Sequence, residues 1–201
     1  MWTKRALDVC LAALALAVLS PLFLIMAFLV KRDDGPVFFA HTRIGQNGRG
    51  FGCLKFRSMR TDSAEALEKL LAGNPGARAE WEATRKLRHD PRVTPIGSFL
   101  RKSSLDELPQ LINVLRGEMS LVGPRPVIAS ELAEFYGAAA AHYMSVRPGI
   151  TGLWQVSGRS DTSYAQRVAL DVAYATRPSL WNDLKIMART PMVVLARRGA
   201  C

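Results

Sequence analysis

The stretch SSLDELPQLINVLRG, residues 103–117, carries the strongest helix pattern on which the fold prediction rests. Its apolar residues Leu108, Leu111, Ile112 and Leu115 recur at the spacing of one face of a helix. Such a stripe is typical of a helix that packs on a core with one side and leaves the other side polar. The spacing therefore predicts one helix over this stretch.

Both ends of the predicted helix carry residues that cap helices. Ser104 and Glu107 have the spacing of a capping box, and Gly117 follows the last turn. Asp106 and Glu107 then stand at the helix N-terminus, where the backbone dipole favours anions and is expected to hold Asp106 ionised. An ionised carboxylate can act as a nucleophile or bind a divalent cation, and its neighbour can transfer a proton. The alternative is that both acids only complement the dipole.

Cationic residues surround this pair of acids in the sequence. Arg101 precedes them, and Arg125 follows between two prolines in GPRP, residues 123–126. Because proline fixes φ, the backbone around Arg125 is preorganised to bind a phosphate, although a rigid turn with an incidental arginine is the alternative. Lys55 and Arg57 share one face of a predicted strand and could also reach a phosphate, or could be two solvated cations.

Composition limits the partners of the chain. At 201 residues it is long enough for one domain with a core, and its net charge of +10 indicates an anionic partner. The basic residues flank apolar stretches, as in proteins of a membrane surface, and aromatic residues do not alternate with them as single-stranded nucleic acids require. We therefore expect membrane lipids and phosphorylated substrates as partners, and no nucleic acid. The three cysteines show no metal or redox spacing.

The longest apolar run, residues 9–30, contains no charged residue. As a helix it would extend for about 33 Å, enough to cross a bilayer core of about 30 Å. Ser20 and Pro21 divide it near its middle, and lysine and arginine at both of its ends favour placing both ends in the cytoplasm. This pattern predicts a re-entrant helix-break-helix over residues 1–32, ahead of a cytoplasmic catalytic domain over 33–201. An ordinary kinked span is the alternative, and the residues alone do not decide between them.

The remaining segments predict an α/β fold of the α+β type, associated with a membrane, with a small mixed or antiparallel sheet. Strands are expected over residues 36–40 and 51–59, joined by a turn over 43–50. Residues 63–97 form a helical elaboration. Residues 179–198 combine apolar faces with basic edges, which is typical of helices in a membrane interface, although buried core helices are the alternative.

Two blocks of sequence resemble a known family. Residues 101–126, RKSSLDELPQLINVLRGEMSLVGPRP, are similar to the signature of the bacterial sugar transferases, the monotopic phosphoglycosyl transferases. Residues 147–159, RPGITGLWQVSGR, resemble their downstream motif, and the resemblance extends from about Lys4 to Arg198. The segment 63–97 resembles that of exopolysaccharide-type galactose or glucose phosphotransferases, which favours a hexose substrate.

The resemblance implies an enzyme that moves a hexose-1-phosphate from a UDP-sugar, with UDP-galactose or UDP-glucose favoured, to undecaprenyl phosphate. It implies that Asp106 attacks the sugar-proximal phosphorus, UMP leaves, and a covalent aspartyl phosphosugar remains for the lipid phosphate to attack. Glu107 would assist as a base, and Mg²⁺ would bind Asp106, Glu107 and the diphosphate. The implied location is the cytoplasmic face of the bacterial inner membrane, at the first membrane step of exopolysaccharide or other glycoconjugate synthesis.

Further roles complete this set of predictions. The resemblance implies that Lys4 pairs with Asp183, tying the membrane helix to the soluble part, and that Ser20 and Pro21 form the break.

The chain could act as a homodimer. Two rival functions are a polyprenyl-phosphate glycosyltransferase that releases UDP and a non-catalytic, basic, membrane-anchored interaction module. The candidate substrate-binding residues are Lys55, Arg101, Arg125, Arg147, Gln155 and Arg159.

Overall fold

The computed structural model describes residues 2–84, 87–158 and 162–195. Within these ranges the chain is mostly helical with two small sheets, so the predicted mixture of helices and strands is confirmed in outline. The strands are β1 (Phe38–Ile44), β2 (Gly50–Phe56), β3 (Ser120–Val122) and β4 (Gly149–Thr151). The α-helices are α1 (Trp2–Lys31), α2 (Ser63–Gly73), α3 (Pro75–Thr84), α4 (Pro95–Ser103), α5 (Gln110–Arg116), α6 (Ala129–Glu131), α7 (Ala140–Ser145), α8 (Leu153–Val156), α9 (Tyr164–Thr176) and α10 (Leu180–Leu195).

β1 and β2 form the predicted antiparallel hairpin. The turn is narrower than predicted, because Arg43 is still paired with Phe51 and the left-handed backbone that reverses the chain is confined to Asn47 and Gly48. Residues opposite each other in an antiparallel pair share a face. Since Phe39 is opposite Lys55, Arg43 lies on the same face of the hairpin as Lys55.

β3 and β4 form a parallel pair in which glycines let the two chain segments touch. A Cβ atom on Gly149 would lie 2.1 Å from the Gly123 nitrogen, and one on Gly152 would lie 2.1 Å from the Gly123 oxygen. Only glycine permits so close an approach of two backbones. The two motif blocks are therefore joined through their glycines.

The helical backbone of α1 continues through residues 20 and 21, and the predicted re-entrant path through a membrane stays a prediction. Proline lacks the N–H group that would donate to the carbonyl four residues earlier, which here belongs to Ala17. The Ser20 hydroxyl donates to that same carbonyl, with an Oγ to O distance of 2.8 Å. The serine thus satisfies the acceptor that Pro21 leaves free, and the helix continues.

α1 lies along the rest of the protein and contacts it near both of its ends. Ala12 packs in a core cluster with Leu111 of α5, and Met26 packs in a second cluster with Phe56 and Leu100. The opposite face is apolar and exposed, at Leu14, Val18, Ile25 and Phe28. Among the described residues, α1 alone is long and apolar enough to cross a membrane, which is compatible with membrane association.

The predicted pair of Lys4 and Asp183 is present in the structure. The Lys4 Nζ to Asp183 Oδ2 distance is 2.8 Å, and Asp183 is buried in α10, where it also accepts from the Tyr174 hydroxyl. α10 continues through Pro191 as one helix with exposed Trp181 and Met192. Residues 196–198 of the predicted interfacial segment lie outside the described residues.

Candidate active site

The stretch that carries the two acids is not the single capped helix that its spacing predicts. Ser104 has a left-handed backbone (φ 59°) and closes α4, because its N–H donates to the carbonyls of Leu100 and Arg101. Leu105–Glu107 form one 3₁₀ turn, and α5 begins only at Gln110. The predicted capping box of Ser104 and Glu107 is therefore wrong, because a residue that ends one helix in this conformation does not cap the next.

The Lys55 ammonium group joins both predicted catalytic carboxylates. Its Nζ lies 3.1 Å from Asp106 Oδ2 and 2.8 Å from Glu107 Oε1. Asp106 is 8 % exposed and therefore largely removed from water, whereas Glu107 and Lys55 are partly exposed. The structure thus brings together Asp106, Glu107 and Lys55, three residues that sequence reasoning assigned to one site.

Burial, and not the helix dipole, dominates the proton affinity of Asp106. Burial raises the pKa of the Asp106 carboxyl group above its ordinary value, and the positive charge of Lys55 opposes this shift without cancelling it. Burial alone would lower the pKa of Lys55, but Glu107 and Asp106 outweigh it and raise that pKa. Lys55 therefore stays protonated, while Asp106 is a stronger base than a solvated aspartate. The expectation that the dipole sets the state of Asp106 is wrong, because α5 begins four residues later.

Asn113 holds the strand that carries Lys55 against the helix that follows the acids. Its side chain is fully buried; its Oδ1 accepts from the Leu54 N–H at 2.9 Å, and its Nδ2 donates to the Gly52 carbonyl at 2.8 Å. It also donates to Glu118 at 2.6 Å. The amide thus completes the hydrogen bonds of β2 as a neighbouring strand would.

Replacing Asn113 with alanine is expected to lower the free energy of unfolding by about 3 kcal/mol, because two buried backbone groups lose their partners. Urea unfolding of Asn113→Ala measures this change. Asn74→Ala is the matched control, because Asn74 bonds only at the exposed start of α3. A change below about 1 kcal/mol in Asn113→Ala would contradict this role.

A shallow cavity, open to solvent, lies beside the carboxylates. Arg125 contacts Glu107 from this cavity, with an Nη1 to Oε1 distance of 3.8 Å, and its guanidinium lies 5.9 Å from the ring centre of Trp154. Sequence reasoning missed two polar wall residues, Arg43 and Gln110; strand alternation with Lys55 could have found Arg43. The lining residues are Arg43, Cys53, Lys55, Glu107, Gln110, Arg125, Pro126, Gly149 and Ile150.

Two cations near the site are engaged by protein groups. Arg101 lies on exposed surface and donates from Nε to the Ser58 hydroxyl at 2.9 Å, although its charge still acts on Asp106. Arg57, which directly follows the end of β2, instead binds Asp33 and the carbonyls of Val30, Pro36 and Met59. Arg57 is therefore an anchor for the C-terminal end of α1, and not a residue of this cavity.

The downstream block reaches the cavity through Gly149 and Ile150, but two of its predicted substrate-binding side chains do not line it. Arg147 donates from Nε to the Gly117 carbonyl at 2.8 Å and lines a separate pocket beside Lys4 and Arg5. Gln155 is buried in α8 and is not among the residues that line the cavity. The substrate-binding roles predicted for Arg147 and Gln155 stay predictions. Arg159 lies outside the described residues.

Two arginines donate hydrogen bonds to the carbonyls at the C-terminal end of α5. Arg5 of α1 donates to the carbonyls of Val114 and Leu115 at 2.7 and 3.1 Å, and Arg147 holds the carbonyl of Gly117. Cations near a helix C-terminus satisfy its free carbonyls and complement its dipole. The helix that follows the two acids is thereby fixed to the apolar helix α1.

The two carboxylates fit a magnesium ion that takes part of its ligands from a substrate. Within residues 2–84, 87–158 and 162–195, no three His, Cys, Asp or Glu side chains cluster as a metal site. Mg²⁺ nevertheless binds commonly through one or two carboxylates together with phosphate oxygens and water. Glu107 lines the cavity, and Asp106 lies next to it, joined to Glu107 through Lys55, so these two carboxylates could supply the protein ligands.

The geometry thus defines a class of protein in which a carboxylate pair and several cations surround a cavity next to a long apolar helix. Comparison with known proteins makes this specific, because the model of the bacterial sugar transferase family matches residues 1–197. The chain belongs to that family.

Curated relatives agree with this assignment. The chain is 56% identical over 198 residues to the exopolysaccharide production protein ExoY of Rhizobium meliloti, covering 98% of this chain and 87% of that protein. It is 51% identical over 197 residues to an undecaprenyl-phosphate galactose phosphotransferase of Salmonella typhimurium, covering 98% and 41%. It is 44% identical over 208 residues to a UDP-glucose:undecaprenyl-phosphate glucose-1-phosphate transferase of Caulobacter vibrioides, covering 98% and 71%. The chain thus spans less than half the length of the Salmonella protein.

Proposed function

We propose that the chain transfers a hexose-1-phosphate from a UDP-sugar to undecaprenyl phosphate in exopolysaccharide or related glycoconjugate synthesis. The observation that carries this proposal is the contact of Lys55 with both Asp106 and Glu107 at a cationic cavity. Relatives whose names specify galactose and glucose phosphotransferases support the substrate class. UDP-galactose and UDP-glucose are the favoured donors.

The proposed chemistry proceeds through two displacements at one phosphorus atom. An oxygen of Asp106 forms a bond to the sugar-proximal phosphorus, and the bond from that phosphorus to the bridging oxygen breaks, releasing UMP. An oxygen of undecaprenyl phosphate then attacks the same phosphorus, and the bond to Asp106 breaks. Since Lys55 engages Oδ2 of Asp106, Oδ1 is the oxygen proposed for attack.

The neighbouring residues have distinct proposed roles. Glu107 accepts a proton or orients the reacting groups, and Lys55, Arg101 and Arg125 offset phosphate charge, which is the main requirement of phosphoryl transfer. Mg²⁺ held by Asp106 and Glu107 would neutralise charge on the diphosphate. The raised proton affinity of the buried Asp106 suits it to attack phosphorus, because a more basic carboxylate is a better nucleophile.

The proposed location is the cytoplasmic face of a bacterial inner membrane. α1 contacts the domain near both ends, as a re-entrant membrane segment over residues 1–32 requires, and its outer face is apolar. Trp181 and Met192 of α10 add exposed apolar groups, and Lys185 lies 5.4 Å from the ring centre of Trp181. A catalytic domain over residues 33–201 at this surface could reach a soluble donor and a lipid acceptor. The chemistry requires one copy of the chain, and a homodimer stays a prediction.

The test is to incubate the membrane-reconstituted protein with undecaprenyl phosphate, Mg²⁺ and each of a panel of UDP-sugars, and to identify the released nucleotide. We expect UMP, formed fastest with UDP-galactose or UDP-glucose, together with a lipid diphosphate sugar. Release of UDP would instead establish the rival glycosyltransferase. Failure to consume any donor would favour the non-catalytic interaction module.

A further inference from the structure

Among the cations that line the cavity, Arg43 is the one without a hydrogen-bond or ion-pair partner in the part of the chain that the structure describes. Lys55 is bonded to both carboxylates, and Arg125 lies near Glu107. The Arg43 guanidinium, by contrast, forms no hydrogen bond or ion pair with the residues in ranges 2–84, 87–158 and 162–195, although it lines the same cavity. A free guanidinium offers five donors that suit phosphate oxygens.

The surroundings of Arg43 explain why a ligand would stabilise it. The residue is partly buried, and burial lowers the pKa of its guanidinium, while Glu131 acts in the opposite direction. Glu131 acts on Arg43 without forming an ion pair with it, and its carboxylate accepts from the Tyr164 hydroxyl at 3.1 Å. A partly desolvated cation without a partner is unfavourable, and an anion in the cavity would remove that cost.

The hairpin directs Arg43 and Lys55 into the cavity from two positions. Both lie on one face, with Cys53 between them in the register, and all three line the cavity with Glu107. Arg43 stands near the turn end of the hairpin, and Lys55 stands near the open end. An anion placed beside the carboxylates would therefore meet the lysine that orients them and a second, uncommitted cation.

We propose that Arg43 is a substrate-binding residue whose guanidinium binds phosphate oxygens of the anionic substrate at this cavity. The inference rests on the proposed function and extends it. The ligand chemistry is a phosphate group, and it has two sources: the diphosphate of the nucleotide sugar or the phosphate of the lipid acceptor. Because the guanidinium is a planar fork, two oxygens of one phosphate or of neighbouring phosphates can be bound together.

The experiment compares Arg43→Gln, Arg43→Lys and the control Arg49→Gln in the reconstituted protein. Arg49 is exposed on the same hairpin and does not line the cavity. Calorimetry with inorganic pyrophosphate gives a dissociation constant without turnover. Formation of the protein adduct with lipid withheld gives the donor dependence, and steady-state turnover with varied lipid gives the acceptor dependence. Melting temperatures of all variants verify that they are folded.

Arg43→Gln is expected to weaken pyrophosphate binding by about 10-fold to 100-fold, since a hydrogen-bonded charge is lost. Arg43→Lys should recover part of the loss, and Arg49→Gln should match wild type. If Arg43→Gln needs a higher donor concentration to form the adduct, the phosphate that Arg43 binds belongs to the nucleotide sugar. If it needs a higher lipid concentration for turnover, that phosphate belongs to the acceptor. If pyrophosphate affinity and both requirements in Arg43→Gln stay within about twofold of wild type, the inference is wrong.

The two proposals can fail separately. Weaker pyrophosphate binding by Arg43→Gln, with a wild-type protein that turns over no nucleotide sugar, would support the anion site and refute the proposed function. Unchanged pyrophosphate affinity and unchanged donor and lipid requirements in Arg43→Gln, alongside an active wild type, would refute the role of Arg43 and leave the proposed function intact.

Discussion

Asp106→Asn is expected to turn over undecaprenyl phosphate at least about 10³-fold more slowly than wild type, because the amide cannot form the bond to phosphorus that the carboxylate forms. Intact mass spectrometry with donor present and lipid withheld should show a hexose phosphate adduct on the wild-type protein and none on the variant. The two side chains have nearly the same shape, so the amide oxygen of the variant can still accept from Lys55. The melting temperature should therefore stay close to that of wild type, which separates a chemical defect from a folding defect.

The matched control for this variant is Asp62→Asn. Asp62 is an exposed aspartate that pairs with Arg60 on the surface, so the same replacement there should leave turnover and adduct formation unchanged. If Asp106→Asn keeps more than about a tenth of wild-type turnover, or still forms the adduct, Asp106 is not the nucleophile.

Local patterns in the sequence predicted the elements that depend on neighbouring residues. The hairpin follows from two strand segments around a Gly-rich turn, and α2 and α3 both lie within the segment 63–97 that was predicted to be helical. α4 was missed, although Thr94 followed by Pro95 is a helix start: the Thr94 hydroxyl accepts from the Gly97 N–H at 3.0 Å. These two residues carry a local signal for α4 that needs no tertiary contact.

Other features depend on contacts between distant parts of the chain. Arg147 and Arg125 both stand beside prolines in motif blocks, yet one caps the end of α5 and the other reaches Glu107. The sequence carries no information on this difference, because it depends on how β4 is placed against β3. Asp106 shows the same limit: its burial raises its pKa, whereas the sequence could show only its place near a helix start.

Resemblance supplied what local patterns could not. Lys4 and Asp183 are separated by most of the chain, and periodicity gives no reason to pair them, yet their side chains meet at 2.8 Å. For Ser20 and Pro21 the outcome differs, because the hydroxyl of Ser20 repairs the hydrogen bond that Pro21 removes. Ser20 and Pro21 therefore change the hydrogen bonding in the middle of α1 without ending the helix.

Lys55→Met is expected to lower turnover by about 10²-fold to 10³-fold and to shift the acidic limb of the pH–rate profile to higher pH. The active form of Asp106 is the carboxylate, so activity falls as pH falls through its pKa. In the wild type, burial raises that pKa and Lys55 lowers it. Removing Lys55 takes away the larger of the two positive charges that act on Asp106, so burial and the negative charge of Glu107 raise the pKa further despite Arg101, and protonation begins at higher pH.

Two controls separate the charge of Lys55 from its shape. Lys55→Arg keeps the positive charge, so its acidic limb should stay near that of wild type even if altered geometry slows turnover. Lys69→Met removes an exposed lysine that pairs with Glu65 on α2, and it should change neither the rate nor the profile. If the acidic limb of the pH–rate profile of Lys55→Met stays in place or moves to lower pH, Lys55 does not set the protonation of Asp106. The ammonium group would then act on the substrate alone, because a cation that contacts the carboxylate must favour its ionised form.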